Sequence, residues 1–150
     1  MRPPSGRARR APVPIRTTWR STTQAAVAIA DGEVEAGRRV FDEAVERYRG
    51  EAGRHSGLGL FLANVGLALL AAGHPDEAEV DVHDARSELD TYGERWPEPL
   101  VLLAEAQLAG VRGAPRDSVL RHLDVAAALA TSQGAHGIGR RRAAAAETPR

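Results

Sequence analysis

The chain has 150 residues with 28 alanines, six aromatics and no cysteine. That composition suits closely packed helices, disfavours a β-rich fold and excludes a disulfide framework or a thiolate zinc site. Its 20 arginines balance 20 acids, but residues 1–20 carry +6, residues 21–139 carry −9 and residues 140–150 carry +3. An acidic body repels nucleic acid, so such a partner is left only to the basic arm. No apolar run reaches spanning length, so no membrane partner is expected and a cytoplasmic location follows by default.

Residues 1–16 hold four prolines and five arginines, so residues 1–17 are predicted to form a disordered basic arm. Six helices are predicted next, over 18–31, 34–50, 57–72, 75–92, 97–112 and 115–132. The second places Gly37, Phe41, Ala44, Val45 and Tyr48 on one side. Leu58, Leu60, Phe61, Leu62, Val65, Leu67, Leu69 and Leu70 run around most of the third, the mark of a central helix covered on both sides. The fourth carries an apolar stripe of Ala78, Val82, Ala85, Leu89 and Tyr92, while Asp81, Asp84, Glu88 and Asp90 fall off it and read as a solvated face. Gly73, Pro75 and Asp76 mark its start, and Gly113, Pro115 and Asp117 repeat that opening before the sixth. The sixth shows Val119, Leu120, Leu123, Ala126, Ala127 and Leu129 as an apolar flank, expected to be covered by self-association or a partner. Residues 134–150, rich in glycine, arginine and alanine, are expected to be a frayed tail.

Two interleaved glycine series organise these elements. Gly32, Gly73 and Gly113 lie 41 and 40 residues apart, and Gly53, Gly93 and Gly134 lie 40 and 41 apart. One building block used three times explains both series, since each glycine marks a turn out of a helix. The expected architecture is therefore an all-α solenoid of about three helix-turn-helix repeats spanning residues 18–133.

Within the middle unit, Val65, Gly66, Leu69, Ala78, Val82 and Ala85 have the spacing of the tetratricopeptide pattern. Gly66 and Ala78 would sit where the two helices approach. Ala25, Gly37, Phe41 and Ala44 fit the same frame in the first unit, and Ala106, Ser118, His122 and Val125 in the third. The chain thus resembles a degenerate tetratricopeptide array with a longer repeat; HEAT-like hairpins share that longer period. A narrower resemblance covers residues 57–134. The stretches Ala71–Ala78, Tyr92–Leu100 (with its Gly93-Glu94-Arg95-Trp96 corner), Leu108–Gly110 and Gln133–Ala135 are similar to the C-terminal repeat region of bacterial signalling ATPases, which accompany LuxR-type or adenylate cyclase domains. The chain lacks the nucleotide-binding, cyclase and helix-turn-helix parts of those regulators, so their ATPase and transcriptional activities are not implied.

No Walker motif, nucleophile elbow or dinucleotide fingerprint is present, and His83 one turn after Glu79 lacks a third metal ligand. No catalytic residue, metal site or cofactor is predicted, and the chain is read as a non-enzyme. Trp96 reads as a packing residue at a helix start. The tetratricopeptide resemblance implies an inner surface of Leu60, Ala63, Leu67, Leu70, Leu100, Leu103 and Gln107, an apolar groove for a protein or peptide segment such as an amphipathic helix. A homo-oligomer is the other partner weighed. The rival reading is a transcriptional or signalling regulator whose arm contacts DNA while the repeats sense or dimerise.

Overall fold

The computed structural model describes residues 15–50 and 56–134. Six α-helices follow one another: α1 (Ile15–Ala30), α2 (Val34–Gly50), α3 (Leu58–Ala71), α4 (Pro75–Tyr92), α5 (Glu98–Val111) and α6 (Arg116–Ser132), with no strand among the described residues. The fold is an all-α solenoid of three helical hairpins. α1 begins at Ile15, three residues before the predicted start. The rest of the arm, Gly53 of the second glycine series and the tail after Gly134 lie outside the described residues.

The three hairpins turn by the same chemistry. The Glu33, His74 and Ala114 amides donate to the carbonyls of Ala28, Leu69 and Ala109 at 2.8, 2.9 and 2.9 Å, the long bond of a Schellman turn. That bond requires a left-handed residue just before its donor. Gly32, Gly73 and Gly113 supply it with φ of 94°, 83° and 86°. The first glycine series is thus three copies of one helix stop.

Burial along the second helices repeats at one interval. Gly37, Phe41, Ala44 and Tyr48 of α2 are matched 41 residues later by Ala78, Val82, Ala85 and Leu89 of α4, and again by Val119, Leu123, Ala126 and Ala130 of α6. All are buried except Val119, which is half-buried against the core. The third unit therefore departs from the frame read in the sequence: His122 and Val125 are exposed, and Leu123 and Ala126 take the inward places. The cause is turn length. Three residues join α1 to α2 and α3 to α4, but four join α5 to α6. Pro115 consequently caps α6 in an extended conformation (ψ 135°), whereas Pro75 lies inside the first turn of α4.

Small residues let the hairpins close. A β-carbon on Gly37 would lie 2.6 Å from Ile29 Cγ1 and 2.7 Å from the Ala25 carbonyl oxygen, and one on Gly66 would lie 2.8 Å from Val82 Cγ2. Close approach of this kind brings the backbones to within packing range without opening a cavity. α3 is the hub, packing on α1, α4 and α5. Leu58, Val65 and Leu69 are fully covered there, as its all-round apolar sequence predicts.

The inner layer is α1, α3 and α5 packed side by side; α2, α4 and α6 form the outer layer. Ion pairs link the outer helices to one another and to the inner layer. Arg49 reaches Glu88 at 3.7 Å, and Arg86 grips Glu105 of α5 through two bonds of 2.8 and 2.7 Å. Arg38 of α2 bonds both Asp42 (3.0 Å) and Asp81 of α4. Asp81 is only 1% exposed, which corrects its assignment to a solvated face: the neighbouring helix covers it. Burial pushes its carboxyl above the ordinary aspartate range, against the pull of Arg38. At the other end of the stripe, Tyr92, the last residue of α4 before the Gly93 cap, is half exposed.

On α6, Leu123 and Ala126 are buried within its own hairpin, while Val119, Leu120, Ala127 and Leu129 remain half-buried. The apolar flank is smaller than the sequence suggests. No helix among the described residues is long and apolar enough to cross a membrane.

Candidate functional site

The inner layer carries an open groove of about 430 Å³ between α1 and α3, with Gln107 of α5 at its side. α1 contributes Trp19, Thr22, Thr23, Ala26, Val27 and Ala30; α3 contributes Phe61, Asn64, Leu67, Ala68 and Ala71. Small and apolar side chains make the floor, hydroxyls, carboxamides and the Trp19 indole N–H supply its polar groups, and no ionisable side chain lines it among the described residues. The repeat explains this lining. Thr23, Ala26, Val27 and Ala30 stand 41 residues before Asn64, Leu67, Ala68 and Ala71, so one face of the first helix recurs in two successive units.

Four aromatic residues gather at one end. The Trp19 ring meets Phe61 edge-on at 5.2 Å and stacks on Trp96 at 6.4 Å with a 20° interplanar angle; Tyr48 meets Phe61 edge-on at 5.9 Å. The Tyr48 hydroxyl donates to the Ser56 carbonyl, and the Glu94 carboxylate accepts the Gly57 amide at 2.9 Å. These bonds tie the start of α3 to α2 and to the corner before α5. Trp96 lies against Gly57, where the left-handed φ of 86° favours glycine although a β-carbon there would meet the indole edge only at 3.4 Å, an ordinary contact. The packing role read for Trp96 is present, yet Trp19 and Trp96 stay 42% and 47% exposed, so the stacked pair also presents indole surface to solvent.

The seven residues assigned to the inner surface divide. Leu67 and Gln107 line the groove. Leu60, Leu70 and Leu100 are half-buried against the core. Ala63 and Leu103 are fully buried, and this is a correction: α3 packs directly on α5, so they close the contact between units instead of facing a ligand. The α1 half of the groove was missed. Its signal was present, since subtracting one 41-residue repeat from the assigned Leu60, Ala63 and Leu67 lands on Trp19, Thr22 and Ala26, all three in the groove lining.

The charged groups sit elsewhere. α4 carries seven acids and one arginine, and α3 carries no charge at all. Among the described residues no group of three histidine or acidic side chains is placed to hold a metal. His83 lies 3.8 Å from Asp84, and His74 lies 3.0 Å from Glu77, both on exposed surface. The fold and this face define the molecule as a helical-repeat protein with an uncharged inner groove. No protein-family model matches the chain, and comparison with curated proteins and with solved structures finds no match.

Proposed function

We propose that the chain is a non-enzymatic interaction module that takes up a segment of another protein on its inner face. The observation that supports this is the segregation of surfaces: a groove of apolar, hydroxyl and carboxamide side chains on one layer, and dense charge on the other. Desolvating an apolar groove favours association, whereas the charged layer holds its waters. On this reading the chain is a tetratricopeptide-type scaffold or sensor of the kind that serves signalling and transcriptional regulators.

Capture of partners on the immobilised chain tests the reading, with variants chosen at the exposed groove wall so that the core is untouched. Val27→Asp combined with Ala71→Arg is expected to abolish recovery of the partner while circular dichroism still reports a folded helical protein. Asp84→Arg on the charged layer is expected to leave recovery intact. Equal recovery by all three proteins would overturn the proposal.

A further inference from the structure

The seam between the first two hairpins is built differently from the next one. Where the second hairpin meets the third, α5 packs on both α3 and α4. Where the first meets the second, α3 packs on α1, while α2 runs along α1 and reaches the second hairpin chiefly through side chains. Cavities flank that α1–α3 contact: the inner groove of about 430 Å³, and on the outer side a cleft of about 540 Å³ walled by Val34, Arg38, Arg39 and Asp42 of α2 and by His74 and Glu77. Two ion pairs span the outer side. Arg49 and Glu88, at 3.7 Å, are both partly exposed, and a pair of that kind contributes little. Arg38 instead crosses from the cleft wall to a buried carboxylate, Asp81. We propose that the first hairpin is a flap that rocks on the α1–α3 contact and is latched on its outer side by Arg38 on Asp81, so that release of the latch widens the cleft and narrows the inner groove.

The opposite senses follow from the geometry. α1 and α2 are locked together by the close approach at Gly37, so they turn as one body. The pivot lies between the two cavities, and a rotation that opens one closes the other. Charge on Asp81 works the latch. Its carboxyl faces Arg38 and Asp42 of α2 and Asp84 of its own helix; α3 brings no charge, and Glu98 and Glu105 of α5 go to Arg86. Burial, aided by Asp42 and Asp84, holds this carboxyl above the ordinary aspartate range in the latched form, in spite of Arg38. Unlatched, it is solvated and titrates near about 3.9. The latched form therefore binds the proton more tightly, so protonation closes the cleft and ionisation above the raised pKa loosens it.

Distances between spin labels on the whole chain test this, since the sequence has no cysteine and labels go only to introduced ones. Glu46→Cys with His83→Cys reads the separation of α2 and α4, Val27→Cys with Ala71→Cys reads the groove, and His83→Cys with Arg121→Cys reads α4 against α6; all five sites are exposed. From pH 4 to pH 7 the first distance is expected to lengthen by about 2 Å or more and to broaden, the second to shorten and the third to stay put. Asp81→Asn, close in size and neutral throughout, is expected to keep the pH 4 distances at pH 7. Distances independent of pH with Asp81 in place overturn the proposal, whatever the variant does. Changes that persist in Asp81→Asn also overturn it, because they assign the switch to another group such as His74, which pairs with Glu77 at 3.0 Å on the cleft rim. Lengthening of all three pairs overturns it as well, since that reports general loosening and not a flap.

Discussion

Gly37 and Gly110 both sit in helices, and their surroundings give them opposite predictions. At Gly37 a β-carbon meets the Ala25 carbonyl at 2.7 Å, and backbone cannot step aside as a side-chain tip can. Gly37→Ala is expected to lower stability by about 2 kcal/mol through overpacking, despite alanine's better helix propensity. At Gly110 the nearest atoms are Val119 methyls at 3.6 and 3.8 Å, ordinary contacts. Gly110→Ala is expected to raise stability by roughly 0.5 kcal/mol. Urea denaturation of the two variants checks the pair, and shifts of the same sign would refute the packing account. Asp81 carries the second prediction at this scale. Arg38→Ala leaves a buried carboxylate without its partner and is expected to cost about 3 kcal/mol. Because the folded-state pKa of Asp81 is raised, the folded chain binds the proton more tightly than the unfolded chain, whose aspartates titrate near about 3.9. The stability of the unaltered chain relative to Asp81→Asn therefore declines as pH rises from about 4 through the raised pKa, and is level above it. Denaturation at pH 4, 5.5 and 7 reads this directly, and a difference that grows with pH contradicts it.

At the scale of the element, the helices and their stops were legible in the sequence because each rests on local chemistry. The glycines at 32, 73 and 113 announce three turns, and all three are left-handed stops. Gly73→Ala forces a β-carbon into that conformation and is expected to cost about 1–2 kcal/mol, seen as a lower midpoint in thermal melts; an unchanged midpoint would mean that the turn relaxes at no cost. The buried face of α2 was equally legible, residue for residue, from its spacing. What was not legible depends on neighbours. Asp81 looks like any acid on an amphipathic helix until α2 is laid beside it with Arg38. The one-residue slip of α6 follows from a four-residue turn, and the glycine–proline pairs Gly73/Pro75 and Gly113/Pro115, identical in spacing, conceal it. Ala63 and Leu103 have the small and apolar character of a groove lining, and only the direct packing of α3 on α5 turns them into a sealed contact.

For the whole molecule, the repeat explains both the groove and its chemistry, since an uncharged face recurs at 41 residues between α1 and α3 while acids accumulate on α4. Stacked hairpins bury one layer against the next and leave an inner surface for a partner. The central claim is that this surface, and not the charged one, is where the partner binds. Chemical-shift mapping of the isotope-labelled chain against a peptide selected by panning a random dodecapeptide library on the whole chain tests it most directly. The account predicts perturbed amides at Thr23, Ala26, Val27, Asn64, Ala68 and Ala71, with the Trp19 indole following the same titration curve. Perturbations centred on α2 and α4, with those positions unmoved at saturation, would contradict it.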